Sequence, residues 1–265
     1  MPRLLILLLL VSCANPPAPP EYHRFLVKAV PTKSEMRIPK VIHQVWHSWK
    51  SENSNPPQQH QIWTQKLLEL HPGWSYKLWR EADCEKLLTD HYPLYLELYR
   101  SYDKNVKRVD MIKYFILHHE GGMVMNTGFM PLRNIEALLG GVDVLLGEQY
   151  DKEYFSIANG LMASIPKHAI WDLAINKLEA VKAEHVLKAT GPAFLTNLVE
   201  EYSQREGAKD IRVLHRNFLY PFSWNKDDLS SNSVKECLKE VELCNKHFAD
   251  AHFIYVWPGS WLDQY

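Results

Sequence analysis

Short apolar runs alternate with longer amphipathic segments along most of this chain, and this alternation constrains its fold more than any other feature. The runs at 40–46, 75–79, 123–125 and 142–148 are typical of buried strands. The clearest helical segment covers 105–120, where an apolar stripe ends at a Gly-Gly pair. Strands that alternate with helices predict an α/β domain with a mostly parallel central sheet and helices on both faces.

The rest of the chain continues the pattern. Further helices are predicted between Pro56 and His71 and over 81–91, 93–102, 168–183 and 191–204, and further strands over 157–165, 211–222 and 252–257. Thr190 is expected to cap the helix that follows it. In parallel sheets ligands bind beyond the carboxyl ends of the strands. Trp46, Asn126 and Trp257 each lie near a predicted strand end and are therefore candidates for one crevice.

The N-terminus carries a predicted export signal. The apolar run from Leu4 to Val11 is too short to span a bilayer as an ordinary helix and is typical of a signal-peptide core. Residues 1–19 are therefore predicted to be a signal peptide or a lipoprotein leader acylated at Cys13, which would attach the exported protein to a membrane. A short signal-anchor in a secretory lumen and a leader without an export role are the alternatives. Residues 20–37 are predicted to be a Pro-rich linker, and 38–265 a single domain.

Charge and cysteine content exclude some classes of protein. With 30 basic and 31 acidic residues the net charge is −1, so no nucleic-acid partner is expected. The chain has neither a CxxC pair nor an HExxH motif, so a structural zinc site is not expected. Cys237 and Cys244 are either bonded across a loop or reduced and buried, and their spacing alone does not decide between these states.

A polar triplet with no carboxylate follows the short strand at 123–125. In GGMVMNTGFMPLRNIEALL it is Asn126-Thr127-Gly128, placed where catalytic loops often begin. Hard divalent cations prefer charged oxygen ligands. The triplet offers one neutral amide oxygen at Asn126, and no side chain at Gly128.

Several motifs, taken in order and spacing, resemble glycosyltransferase family 32, the DXD-motif family that includes yeast α-mannosyltransferases and bacterial capsular-sugar transferases. They are IPKVIHQVWHS, HPGWSYKLW, RVDMIKYFILHHEGGMVMNTGFMPLRNIEALL, NGLMASIPKHAIW, TGPAFLT, LYPFSW and WPGSW. The resemblance runs from about residue 38 to 261. It implies a GT-A fold and transfer of a hexose, with retention, from a nucleotide-sugar donor to a glycan, lipid or protein acceptor.

The resemblance also implies roles for single residues. Trp46 would stack on the nucleobase, because a rigid aromatic face suits that task. Asp110 would grip sugar or ribose hydroxyls, with Lys113 beside it where the family usually has Arg. Asn159 would hydrogen-bond sugar hydroxyls. The terminal Ser260 and Trp261 would reach the diphosphate or its metal.

The departures from the family cluster at the diphosphate end of the implied site. Asn126 and Gly128 replace the carboxylates that hold Mn²⁺ or Mg²⁺ in the family, so no cofactor is certain here. Tyr255 stands where the family commonly has His. A metal-free mechanism would need a cation such as Lys113, Arg108 or Arg133 to stabilise the leaving diphosphate. Alternatively, Glu148 and Asp151 would hold a metal from elsewhere in the chain.

Three functions are compatible with this pattern. The first is a glycosyltransferase that uses a nucleotide hexose. The second is a pseudoenzyme that keeps a nucleotide- or sugar-binding crevice without turnover. The third is a structural surface lipoprotein with no ligand, against which the retained Trp46, Asp110, Ser260 and Trp261 argue. Because function depends on the site rather than the fold, the fold alone does not decide between the first two.

Overall fold

The computed structural model describes residues 21–27, 35–47, 54–151, 154–206, 209–223 and 225–257. The strands are β1 (Leu26–Val27), β2 (Val41–Val45), β3 (Ser75–Trp79), β4 (Gly122–Met125), β5 (Phe129–Pro131), β6 (Val144–Asp151), β7 (Tyr154–Ser164), β8 (Ile211–Leu214) and β9 (Phe253–Tyr255). The helices are α1 (Gln58–Leu70), α2 (Glu81–His91), α3 (Leu96–Ser101), α4 (Asn105–His119), α5 (Glu136–Leu139), α6 (Ala169–Val181), α7 (Val186–Ala189), α8 (Pro192–Glu206), α9 (Lys226–Ser230), α10 (Asn232–Cys237) and α11 (Val241–His247). Short 3₁₀ helices cover Glu21–Phe25, Pro93–Tyr95 and Arg216–Phe218.

Seven strands form the central sheet in the order β1-β8-β6-β7-β4-β2-β3. Four of its pairings are parallel, namely β1 with β8, β6 with β8, β4 with β2, and β2 with β3. Strand β7 runs antiparallel to both of its neighbours, β4 and β6. The mostly parallel α/β sheet that the sequence predicts is therefore confirmed, and it is the arrangement expected of a GT-A fold.

Helices cover both faces of the sheet, as the alternating pattern predicts. One face packs on α2, α3, α4, α6 and α8 through a large apolar core. The other packs on α1, α5 and the two-stranded β5-β9 sheet. Among the described residues, no helix has the length and apolar character that crossing a membrane requires.

The Gly-Gly pair predicted to end α4 does so for a steric reason. Gly121 and Gly122 both have positive φ, 68° and 81°, which glycine adopts without strain. A Cβ at Gly122 would lie 2.6 Å from the Val41 carbonyl oxygen. The pair thus reverses the chain tightly enough for β4 to enter the sheet directly beside β2.

A small C-terminal unit packs on the outer face of the β5-β9 sheet. Helices α9 to α11 enclose Met130 and Ile254 in a third apolar core. A disulfide joins Cys237 to Cys244 in this unit, which answers the question that their spacing left open. Cys84 is a free, buried thiol.

Three local predictions are wrong or incomplete. The run at 211–222 is a strand only to Leu214, because the chain then turns into a 3₁₀ helix and leaves the sheet. Thr190 does not cap α8; it ends α7, and its buried hydroxyl has no partner among the described residues. The strand predicted at 252–257 lies outside the central sheet, since β9 pairs with β5 instead.

Candidate functional site

The strand register brings several predicted site residues to one edge of the central sheet. His43 pairs with Val124 in the parallel β2-β4 ladder, so Asn126 lies level with the end of β2, beside Trp46. On the other side of β4, the Asn126 backbone nitrogen donates to the Gly160 carbonyl at 2.7 Å. Trp46, Asn126 and Asn159 therefore come from three neighbouring strands at the same edge.

Asp110 and Lys113 approach this edge from the second and third turns of α4. The Lys113 Nζ lies 2.9 Å from the Asp110 Oδ1, as the spacing of three residues on one helix face predicts. Lys113 is 2% exposed and Asp110 7%, so the pair is buried rather than a surface ion pair. Lys113 also donates to the Asn159 carbonyl at 3.3 Å. The pair thus positions one carboxylate beside β7.

The Asn159 side chain is held by the segment after α7. Its Nδ2 donates to the Thr190 carbonyl at 3.3 Å, and the Tyr114 hydroxyl donates to the same oxygen at 2.6 Å. Asn159 lies within β7 rather than in a turn, so a turn-capping role is excluded. The Asn159 Oδ1 is not used by these bonds.

Trp46 is half-buried, and its ring position is fixed by hydrogen bonds. The indole Nε1 donates to the Ser54 carbonyl at 2.9 Å. Arg80 donates to the same carbonyl at 2.7 Å, while the Trp46 backbone nitrogen donates to the Trp79 carbonyl. An aromatic ring fixed at the end of β2 is suited to stacking on a flat ligand.

The triplet is anchored on both sides. The Thr127 Oγ1 lies 2.9 Å from the His60 Nδ1 on α1, and burial lowers the pKa of His60 below its usual value. The Gly128 carbonyl accepts from the Val256 nitrogen at 3.1 Å, which continues the β5-β9 ladder. The triplet therefore connects the central sheet to the small one.

Asn126 and Tyr255 contact each other across the site. The Asn126 Nδ2 donates to the Tyr255 hydroxyl at 3.2 Å. Burial raises the pKa of Tyr255 to about 12, the bond from Asn126 opposes this shift, and the Asp110 charge adds to it. The phenol is therefore neutral at physiological pH, and Asp110 is close enough to influence it.

The described residues do not fit a divalent cation. Thr127 is bonded to His60, Gly128 has no side chain, and Asn126 supplies one neutral oxygen. Nowhere in the described ranges do three His, Cys, Asp or Glu side chains form a group that would bind a metal ion. The donor set thus lacks the charged oxygens that Mn²⁺ and Mg²⁺ prefer.

The other residues considered at the sequence level lie elsewhere or are occupied. Glu148 accepts from His23 at 2.8 Å and from Tyr22 at 3.3 Å, so it holds the N-terminal 3₁₀ helix. Arg108 donates to the Tyr102 carbonyl and contacts Glu81. Arg133 donates to the Ala251 carbonyl. Cys13, Ser260, Trp261 and the side chain of Asp151 fall outside the described part of the chain.

Comparison with known proteins shows which family this chain resembles. Residues 57–151 match the sequence model of the glycosyltransferase sugar-binding region containing the DXD motif. The mannosyl phosphorylinositol ceramide synthase CSH1 of Saccharomyces cerevisiae is 29% identical over 78% of this chain and 57% of its own length. The chain is therefore similar in sequence to this family of glycosyltransferases.

Other members and a solved structure extend the comparison. Inositol phosphoceramide mannosyltransferase 2 of Schizosaccharomyces pombe is 28% identical over 63% of this chain and 48% of its own length. The uncharacterized glycosyltransferase L373 of Acanthamoeba polyphaga mimivirus is 22% identical over 83% of this chain and 91% of its own length. The chain thus spans about half the length of the two yeast relatives. The solved PaToxG glycosyltransferase has a TM-score of 0.49 at 16% identity, over 64% of this chain and 70% of its own.

The matched region contains the triplet Asn126-Thr127-Gly128, which has no carboxylate. Sequence analysis treated Asn126 and Tyr255 as separate departures from the family, and it did not foresee that they are hydrogen-bonded partners. It also missed His60, whose only sequence signal was its place in the first turn of α1. Both contacts join residues far apart in the chain, 129 and 67 positions.

Proposed function

We propose that this chain transfers a hexose from a nucleotide-sugar donor to an acceptor with retention of configuration. The observation that carries the proposal is the convergence of Trp46, Asp110, Asn126 and Asn159 at one edge of the sheet. In open α/β sheets this edge is where ligands bind. The Schizosaccharomyces pombe relative is named as a mannosyltransferase and the Saccharomyces cerevisiae relative as a mannosyl phosphorylinositol ceramide synthase, which favours mannose as the hexose.

Each residue has a role that follows from its contacts. The Asp110 carboxylate accepts hydrogen bonds from sugar or ribose hydroxyls, and Lys113 keeps its charge compensated. The Asn159 Oδ1 and the Asn126 amide bond neighbouring hydroxyls or diphosphate oxygens. Trp46 stacks on the nucleobase. Ser260 and Trp261 are assigned to the diphosphate on the family resemblance alone.

A groove beside the triplet, with both apolar and polar lining residues, is assigned to the acceptor. It has a volume of about 410 Å³, a size usual for small-molecule sites. It shares a wall with the donor crevice, because His60 bonds Thr127 and stacks on Trp63 with ring centroids 5.4 Å apart. Its apolar lining consists of Trp63, Met130, Leu238, Val241 and Val256.

The acceptor that this groove suits best is a lipid with a polar head. Five of the side chains that line the groove are apolar, and Leu238 among them is 45% exposed. Gln59, Lys239 and Glu240 also line the groove and offer hydrogen-bonding and charged groups to a polar headgroup. The yeast relatives are named for inositol phosphoceramide, a lipid of this class.

The protein is proposed to act outside the cytoplasm. Residues 1–19 would direct export, residues 20–37 would link the leader to a domain at 38–265, and Cys13 would attach the chain to a membrane if it is acylated. The disulfide between Cys237 and Cys244 supports an oxidising compartment. A secretory lumen, where nucleotide sugars are available to lumenal transferases, is the compartment most compatible with the activity.

The direct test is a turnover assay on the full chain. Nucleoside-diphosphate hexoses are incubated with inositol-phospholipid acceptors, and the nucleoside diphosphate released is measured. We expect turnover, an approximately 100-fold loss in Asp110→Asn because that carboxylate positions the donor, and no change in Asp90→Asn, whose carboxylate pairs with Lys86 on the surface. Nucleotide binding with no turnover of any donor would instead support the pseudoenzyme. No binding at all would exclude both.

A further inference from the structure

The two departures from the family at the diphosphate end form one structural unit. In the family a metal bound by two carboxylates lies near a histidine; here Asn126 and Tyr255 are hydrogen-bonded to each other at 3.2 Å. A charged assembly has thus been replaced by a neutral pair, rather than simply lost.

The pair retains hydrogen-bond donors that the protein does not use. The Tyr255 oxygen accepts from Asn126, and within the described residues neither the phenol proton nor the second amide hydrogen of Asn126 has a protein acceptor. If the amide were turned by 180°, the Tyr255 hydroxyl would donate to the Asn126 Oδ1. Both amide hydrogens of Asn126 would then be free donors. Nearby, Asp110 is the charged group that influences Tyr255.

The Tyr255 hydroxyl is held rigidly. Its ring packs against Phe129 and Trp257 with centroids 4.7 Å and 4.8 Å apart. Its backbone pairs with Phe129 in the β5-β9 ladder, and Val256 bonds Gly128. A donor fixed in this way requires no reorganisation when charge develops on a ligand.

Three cations considered for neutralising a diphosphate already make contacts within the protein. Lys113 bonds Asp110 and the Asn159 carbonyl, Arg133 donates to Ala251, and Arg108 contacts Glu81. At this edge, Asn126 and Tyr255 carry hydrogen-bond donors that no acceptor among the described residues uses.

We propose that the Tyr255 hydroxyl, positioned by Asn126, donates a hydrogen bond to the departing diphosphate oxygen and takes the place of the divalent cation. This inference rests on the proposed transferase function. The bond from the anomeric carbon to the diphosphate oxygen breaks, and its electron pair stays on that oxygen. The acceptor hydroxyl forms the new bond to the carbon and gives its proton to the departing diphosphate, while the phenol keeps its own.

The test compares rates in protein freed of metal with a chelator. Full-length wild type is assayed for donor turnover with and without added Mn²⁺ or Mg²⁺, beside Tyr255→Phe and Asn126→Ala. We expect the metals to change the wild-type rate by less than about twofold, and Tyr255→Phe to lower it about 100-fold, as loss of one preorganised donor does. Asn126→Ala should lower it less, because the phenol remains.

Tyr220→Phe is the matched control. Its hydroxyl lies in the same aromatic cluster but accepts from the Leu161 backbone nitrogen, so its loss should affect stability and leave the metal-free rate within about threefold. Thermal melting of each variant shows whether it folds. A wild-type rate that requires Mn²⁺, or a folded Tyr255→Phe variant with an unchanged rate, would overturn this inference. Neither result would contradict the proposed transferase function.

Calorimetry separates this outcome from failure of the transferase proposal. Titration of a nucleoside diphosphate into the metal-free protein should show binding that Tyr255→Phe weakens by about fivefold or more, equivalent to a lost hydrogen bond. Binding that needs Mn²⁺, or that Tyr255→Phe leaves unchanged, would overturn the inference. A wild type that binds no nucleotide under any condition would overturn the transferase function itself.

Discussion

The ammonium group of Lys113 lies 2.9 Å from the Asp110 carboxylate, and both side chains are buried. The same ammonium group donates to the Asn159 carbonyl, so one lysine joins α4 to β7 beneath the candidate crevice. A buried pair of this kind holds a carboxylate in one place, and removing either partner leaves the other charge uncompensated.

Lys113→Met should therefore destabilise the fold by about 3 kcal/mol, because Asp110 would remain buried without its partner. Urea denaturation followed by circular dichroism measures the change in the free energy of unfolding. Lys86→Met removes a lysine that pairs with Asp90 on the surface, and it should leave the urea midpoint of unfolding unchanged. Equal midpoints for both variants would show that the pair contributes nothing to stability.

Trp46→Ala should weaken nucleoside-diphosphate binding by about tenfold, since stacking of a base on an aromatic ring contributes about 1–3 kcal/mol. Trp46→Phe should retain most of the affinity, because it keeps an aromatic face. Isothermal titration calorimetry measures both. If Trp46→Ala binds as tightly as the wild type, the base is held elsewhere.

Acid should destabilise the protein through two histidines that are buried in their neutral form. Burial lowers the pKa of His43 to about 4, opposed by Glu120, and burial together with Arg108 lowers the pKa of His47 to about 4. The His43 Nδ1 accepts from Trp79 at 3.0 Å, and its Nε2 lies 3.2 Å from the Gly121 carbonyl. Both ring nitrogens of the neutral imidazole therefore have hydrogen-bond partners.

The sign of this effect follows from the lowered pKa values. Between pH 6.5 and 4 the unfolded chain binds more protons than the folded one, so stability is complete above pH 6.5 and falls as the pH drops through that window. The loss should approach about 3 kcal/mol for each histidine at pH 4. Urea midpoints at pH 7, 6 and 5 measure it, and His43→Gln should reduce the slope. Midpoints that do not change over this range would contradict the prediction.

Trp63→Ala and Leu238→Ser should raise the KM for a lipid acceptor by about tenfold while leaving hydrolysis of the donor unchanged. The reason is that both side chains line the groove, and His60 stands between Trp63 and the triplet. Ile62→Ala is the control, because Ile62 is 51% exposed on α1 and does not line the groove. If only donor hydrolysis changes, the groove belongs to the donor site.

The features that the sequence predicts correctly depend on local patterning. The apolar runs at 40–46, 75–79 and 123–125 are strands because alternation and turn signals act over a few residues. The Gly121-Gly122 reversal follows from the same local rules. Once these strands pair in parallel, Trp46 and Asn126 must lie at one edge of the sheet.

The features that it does not predict depend on contacts between distant segments. Pairing of β5 with β9 brings Tyr255 to Asn126, and neither strand has enough alternation to reveal its partner. The C-terminal helices of five to seven residues are too short for a clear period and depend on packing around the disulfide. Lys113 is buried because α4, β7 and the segment after α7 meet around it. These elements are far apart in the chain, so the residues next to Lys113 in sequence do not predict its burial.

The central claim is that the strand-end edge binds a nucleotide without a metal. The most direct measurement is calorimetric titration of a panel of nucleoside diphosphates into the chelator-treated full chain, repeated with Mn²⁺. The structure predicts binding of at least one nucleotide, with an affinity that Mn²⁺ changes by less than about twofold, since no charged oxygens are present in the triplet to bind the ion. Binding that appears only with Mn²⁺, or no binding to any nucleotide, would contradict it.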